Sequence, residues 1–301
     1  MLSRIAESFF WLGRYLERAE ATARLLAEHH QLLVEDRSVV ETIACDALLQ
    51  TLALPTGGAS NAHELVQLIV GSEQSASTIV GAVAAARDNA RAVRDSLSGD
   101  IYEALNSAHI ELSRGLALRG SPGVALNNVL QHLLTVNGVI DWTMPRDEPY
   151  YFMVLGKELE RIDMMGRVLA IHHDLFWPTA GPVAVLRASG ALSAFLRAGA
   201  PLTGDEARRY LVVDPTFPRS MLSCAVDAEA AVRELERVVE TGSGNLLREV
   251  GRLRASLEYA SETSPEQIDR LASDARTAAA RTADEVTRTF FRQHGTITWS
   301  H

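Results

Sequence analysis

The chain has 301 residues, 47% hydrophobic and 22% charged, with a net charge of −9. That length and composition support one large helical domain, or two ordinary ones, around a real core. The acidic balance argues against bulk binding to a phosphate backbone, so no nucleic-acid partner is expected.

Apolar residues recur at helical spacing almost everywhere, and no alternating strand pattern of useful length is present. A first helix is predicted over 3–35, with Ser3 at its N-cap. A second covers 38–52, and "PTGGASN" after it reads as a loop. Helices follow over 62–97, with a break near residues 71–72, then over 100–118, 123–143 and 149–175. "GSPG" and "PRDEP" punctuate them. After "WPTAGP" come helices over 183–198, 204–212, 219–241, 244–261 and 265–293, the last three separated by "GSGN" and "SETSPEQ". The prediction is an all-α, multi-helix bundle of about ten helices, read as one domain over 1–301.

The N-terminus carries a charge every three or four residues, unlike a signal peptide. The uncharged stretch 120–140 contains Asn127, Asn128, Gln131, His132 and Asn137, which make it a poor membrane span. A cytoplasmic protein without a membrane partner is expected. Cys45 and Cys224 have no metal-type spacing and read as small packing residues.

One helix is written twice. "LGRYLERAEATARLLAEHHQLL" (12–33) aligns without a gap on "LGKELERIDMMGRVLAIHHDLF" (155–176). The identities are Leu12, Gly13, Leu16, Glu17, Arg18, Arg24, Leu26, Ala27, His29, His30 and Leu32, each matched at one constant offset, and Glu20 is answered by Asp163. Chance amphipathicity preserves hydrophobicity, not charges and a histidine doublet, so the chain reads as an internal duplication. On a helix, Gly13, Glu17, Glu20 and Arg24 fall within about 60° of one another. The apolar arc of Leu12, Leu16, Ala19, Ala23 and Leu26 lies beside them. Gly156, Glu160, Asp163 and Arg167 repeat the stripe. Glycine weakens a helix, so Gly13 and Gly156 point to close helix approach. Packed across a pseudo-twofold axis, Arg24 would face Glu160 or Asp163, and Arg167 would face Glu17 or Glu20. Desolvated charges of this kind must be paired.

Three uses of the stripe stay open: a buried ion-pair seam, a polar ligand pocket, or an acid–base pair of carboxylates. The two E-x-x-[ED] pairs could suit a di-metal bundle, but arginines share the stripe and compete with a cation. No metal or cofactor is expected. Adjacent histidines diverge by about 100°, so in each doublet one is expected to pack and the other to face water. Elsewhere Arg87, Arg91 and Arg94 share a helical face, and Arg219 with Ser220 sits at a helix start. Both arrangements suit an anion, or else a solvated face and an ordinary cap. No nucleotide loop, nucleophile elbow or metal signature is present.

Four segments together resemble the alpha-E family of bacterial helical proteins. "MLSRIAESFFWLGRYLERAEATARLL" resembles its N-terminal signature. "NARAVRDSLSGDIYEALN" resembles a second block, with Tyr102 where a tryptophan is expected. "LGKELERIDMMGRVL" resembles the second Glu-Arg block, and "FPRSMLSC" a Pro-Arg-Ser block. The family motif falls on Glu17, Arg18, Glu160 and Arg161. The resemblance implies association with a circularly permuted ATP-grasp protein and a transglutaminase-like protein. It therefore implies a part in making or modifying amide bonds in small peptides or metabolites, with the ATP chemistry on a separate chain.

Overall fold

The structure is a computed structural model and describes residues 3–71, 75–114, 121–238, 244–260 and 264–291. Among these residues every regular element is helical. In chain order they are α1 (Ser3–Glu35), α2 (Glu41–Thr51), α3 (Ala62–Val70), α4 (Ile79–Ala92), α5 (Gly99–Ser113), α6 (Pro122–Thr143), α7 (Glu148–Ala170), α8 (His173–Phe176), α9 (Gly181–Ala188), α10 (Leu192–Ala198), α11 (Gly204–Val213), α12 (Met221–Val238), α13 (Gly244–Glu258) and α14 (Pro265–Val286). A short 3-10 turn, Arg94–Ser96, precedes α5, and a π-helical turn, Thr287–Phe291, follows α14.

Among the described residues there are more helices than the ten or so expected: the expected break near 71–72 is present, and two further predicted helices are divided. The stretch 62–97 breaks where Gly71 takes φ 63°, and Thr78 then caps α4 by accepting from the Gly81 amide. The stretch 149–175 breaks where His172 turns left-handed (φ 50°, ψ 56°). The stretch 183–198 breaks at Gly190, φ 70°. Proline in the first turn starts α6, α7, α9 and α14, where a missing N–H costs nothing. The expected ends at 118, 241, 261 and 293, and the first residues of "GSPG", "GSGN" and "SETSPEQ", lie outside the described residues.

α1 and α7 form the centre. α1 packs on α4, α6, α7 and α9, while α7 packs on α1, α12 and α14. The two central helices run parallel and in register. Cross-contacts keep a nearly constant offset, from Arg18–Glu160 (142) through Glu17–Arg161 and His29–His173 (both 144) to Arg14–Glu160 (146). The predicted arc of Leu12, Leu16, Ala19, Ala23 and Leu26 is buried, as are Phe9, Phe10, Phe152 and Leu155. Cys45 and Cys224 are free and buried in the same core. Among the described residues no helix is long and apolar enough to cross a membrane.

Candidate functional site

The two glycines set the distance between α1 and α7. A Cβ on Gly13 would stand 2.1 Å from the carbonyl oxygen of Met153, and one on Gly156 would stand 2.0 Å from that of Phe10. Each glycine thus lies against the backbone three residues before the other. With no side chain between them, the backbones meet, and the next turn brings both Glu-Arg pairs into the interface.

The pairing there is reciprocal. Arg161 donates from Nη2 to Glu17 Oε2 at 2.7 Å, and Arg18 donates from Nε to Glu160 Oε1 at 2.5 Å. Each glutamate receives a second arginine: Arg219 Nη2 reaches Glu17 Oε1 at 2.5 Å, and Arg14 Nε reaches Glu160 Oε2 at 2.7 Å. Arg161 also bonds Glu158, at 3.0 Å from Nη1 to Oε2, and Lys157 lies 3.3 Å from that carboxylate. Glu17, Glu158 and Glu160 are each 1% exposed. Burial raises the Glu17 pKa, but Arg161 and Arg219 outweigh it and hold the carboxyl below its ordinary 4.5. Glu17 is thus held ionised, and an arginine stands on each oxygen of Glu17 and of Glu160, an arrangement that does not suit proton transfer.

The expected cross-pairing of Arg24 and Arg167 is corrected here. Arg24 bonds Glu20 of its own helix at 2.9 Å, and Arg167 bonds Asp163 of its own helix at 2.7 Å. Both turn back to the carboxylate one turn earlier on their own helix, and Arg167 also donates to the Thr51 carbonyl. The cross-links are instead made by Arg18 and Arg161. Other elements complete the outer carboxylates. Asn137 of α6 donates to Glu20 at 2.8 Å, Arg219 reaches Glu20 at 3.2 Å, and Arg276 of α14 donates to Asp163 at 2.7 Å.

Arg219 is aimed by its turn. Asp214 Oδ1 accepts from the amides of Thr216 and Phe217, and Ser220 donates to the Asp214 carbonyl. Ser220 also accepts from the Ser223 amide, so its hydroxyl caps α12 and is fully committed. The other arginine candidates are not brought to the seam. Arg87 donates to Asn106 at 2.8 Å, Arg91 pairs with Asp88 at 3.1 Å, and Arg94 lies over the Tyr102 ring at 5.1 Å. The predicted stripe is broken because α4 ends at Ala92 and Arg94 belongs to the 3-10 turn.

Two recesses flank the seam. One, of about 250 Å³ between α1, α6 and α7, is lined by Glu20, Arg24, Asn137, Asp141, Tyr150, Lys157, Arg161 and Arg219 among others. The other, of about 420 Å³ between α7 and α14, is lined by Arg14, Asp163, Arg167 and Arg276 with Ser273 and Thr277. Neither touches Glu17, Glu160 or Arg91.

In each doublet one histidine is buried: His29 and His173, with His30 and His172 less so. They are not equivalent positions, because the left-handed His172 shifts the phase. His29 donates from Nε2 to the Ala44 carbonyl oxygen (3.0 Å) and lies 3.5 Å from His173. Burial lowers the pKa of His29 to about 4 and that of His173 to about 3. Among the described residues no group of three or more His, Cys, Asp or Glu could hold a metal ion.

Residues 1–291 match the alpha-E family, described as a predicted alpha-helical domain with a conserved ER motif. This chain belongs to the alpha-E family. Glu17–Arg18 and Glu160–Arg161 are both Glu-Arg dipeptides, and each glutamate is held by the arginine of the other. An uncharacterized protein of Mycobacterium bovis is 28% identical to this alpha-E chain over 187 residues, 52% of this chain and 21% of that protein. An uncharacterized protein of Mycobacterium tuberculosis matches to the same extent. The match thus spans about a fifth of the length of these relatives. No solved structure matches the chain.

Sequence reasoning missed Arg14, Lys157, Glu158, Asn137 and Arg276. Arg14 and Lys157 occupy matching positions in the two aligned stretches, and that shared basic character was a usable signal. Asn137 and Arg276 had none, since only packing brings α6 and α14 to the stripe.

Proposed function

We propose that this alpha-E chain is the ligand-binding helical component of an amide-bond-forming or peptide-modifying system. An ATP-grasp protein and a transglutaminase-like protein, as the family resemblance implies, supply the chemistry on other chains. The ligand is an amino acid or short peptide, held in the recess between α1, α6 and α7. The observation that carries this reading is the recess itself. Arg24, Lys157, Arg161 and Arg219 face Glu20, Glu17 and Glu158 behind them and Asp141 at the rim. A lining of balanced charge suits a ligand with both an ammonium and a carboxylate. The volume of this recess falls below the usual range of small-molecule sites, which fits an amino acid or dipeptide better than a nucleotide.

The reciprocal contacts of Gly13 with Met153 and of Gly156 with Phe10 support a further part of this reading: α1 and α7 descend from one duplicated helix within one domain. The protein acts in the cytoplasm.

Calorimetric titration of amino acids and short peptides into the chain, alone and with its ATP-grasp partner, tests the reading. Saturable binding that Asp141→Asn weakens is the expected result. No binding in either format sinks it. The second reading is a scaffold, favoured by the complete saturation of Glu17 and Glu160 by arginines. It predicts full partner assembly with no ligand at all.

A further inference from the structure

The two recesses occupy matching sides of the seam. Glu20, Arg24 and Lys157 line the first, while Asp163, Arg167 and Arg14, their counterparts in the other aligned stretch, line the second. A third element adds an arginine to each: Arg219 before α12, and Arg276 of α14. Their charge balance differs. Around the first, four cations meet four carboxylates. Around the second, Arg14, Arg18, Arg167 and Arg276 meet only Glu160 and Asp163 among the described residues.

Among the recess-lining arginines that bond to another element, donor use differs in the same direction. In the first recess, Arg161 and Arg219 turn both Nη groups to buried carboxylates, leaving only an enclosed Nε without a partner. In the second, Arg14 and Arg276 use Nε alone. Among the described residues their Nη groups meet no protein acceptor. Arg167 uses Nε and Nη1, the latter to the Thr51 carbonyl at 2.8 Å, and leaves Nη2.

The carboxylates therefore anchor each guanidinium by one edge and leave the other edge open. Arg14 is further fixed by stacking over Trp11, 5.1 Å from the ring centroid. Gly166 stands where the first stretch has Ala23. A Cβ there would come within 3.1–3.2 Å of the Arg276 stem, so the glycine gives that arginine its seat on α7.

The geometry points to the α7–α14 recess as a binding site for a phosphate monoester, its phosphoryl group held among Arg14, Arg167 and Arg276. Guanidinium groups arriving from three helices can surround a tetrahedral dianion, whereas a single carboxylate would engage only one fork. The excess of two positive charges matches the charge of such a group near neutral pH. A volume of about 420 Å³ leaves room for a small organic part beside the phosphoryl oxygens. This site is independent of the ligand assigned to the first recess.

The full chain is titrated by calorimetry at low ionic strength with inorganic phosphate, glycerol 3-phosphate and succinate, with Trp11-sensitive fluorescence as a second readout. One saturable site for both phosphates is expected, with glycerol 3-phosphate at least as tight. Arg276 is 43% exposed, so Arg276→Gln should leave the thermal midpoint in phosphate-free buffer unchanged while weakening both phosphates roughly tenfold. Asp141→Asn, which adds positive charge to the first recess, should leave phosphate affinity unchanged. No saturable phosphate binding overturns the assignment. So do equal affinities in wild type and Arg276→Gln, tighter phosphate binding in Asp141→Asn, or succinate binding as tightly as the phosphates.

Discussion

Glu17 sits where α1, α7 and the turn before α12 converge, with one arginine on each carboxylate oxygen. Arg161 is its partner across the helix pair and also holds Glu158. Arg161→Met therefore leaves two buried carboxylates short of a cation. The expected loss is roughly 3–5 kcal/mol, a large share of a typical total of about 5–15 kcal/mol. Adding Glu17→Gln and Glu158→Gln should restore part of it, since the orphan charges are gone. Arg24→Met should behave differently. Glu20 keeps Arg219 and Asn137, so the loss should be only about 1 kcal/mol. Urea midpoints of these variants decide the matter, and a larger loss for Arg24→Met than for Arg161→Met would refute the pairing described.

At the level of helices, the approach of α1 to α7 depends on two absent side chains. Gly13→Ala or Gly156→Ala would place a methyl group about 2 Å from a backbone carbonyl that no rotamer change can move. Alanine raises helix propensity by about 1 kcal/mol, but forced separation of the central pair costs at least about 1–3 kcal/mol and misaligns the ion pairs. Net destabilisation is expected for both. Gly138 in α6 is the control, because a Cβ there meets nothing within 4 Å. Gly138→Ala should stabilise the chain by about 0.5–1 kcal/mol. Thermal denaturation that ranks Gly13→Ala with Gly138→Ala would remove the glycines from the account of helix spacing.

For the whole molecule, pH should report how well the core excludes water. His29 of α1 and His173 of α8 meet inside it, with His30, His172 and Arg208 adding positive charge nearby. Their folded pKa values, about 4 and about 3, lie below the ordinary 6.5. Between pH 6.5 and about 4 the unfolded chain takes up protons that the folded chain refuses. Stability is thus full above pH 6.5 and falls with acidification, by about 1.4 kcal/mol per pH unit for each histidine. Glu17 and Asp163, held below their ordinary values, extend the loss as pH drops through their folded pKa values. Glu28, raised by burial, opposes it near its own titration. Urea midpoints at pH 7.5, 6 and 5 should fall in order, and His29→Gln should reduce the slope. A flat profile in wild type would show that the two histidines titrate normally.

The sequence by itself determined the helical class, the central role of the two related stretches and the close approach at Gly13 and Gly156. Helical periodicity, and charges preserved between two distant stretches, are local properties that a linear reading can measure. It also carried the burial of the apolar arc beside the charged stripe, because both lie at fixed angles on one helix. Only the tertiary structure decided which arginine meets which glutamate. Arg18 and Arg161 reach across a parallel, in-register pair, while Arg24 and Arg167 pair with a carboxylate of their own helix, and a helical wheel does not separate the two choices. The break at His172, which gives the second doublet a different buried histidine, depends on one left-handed residue with no glycine to announce it. Asn137, Arg219 and Arg276 reach the stripe from distant helices and a distant turn. Their roles arise from packing alone, and so do the two recesses that this packing leaves beside the seam.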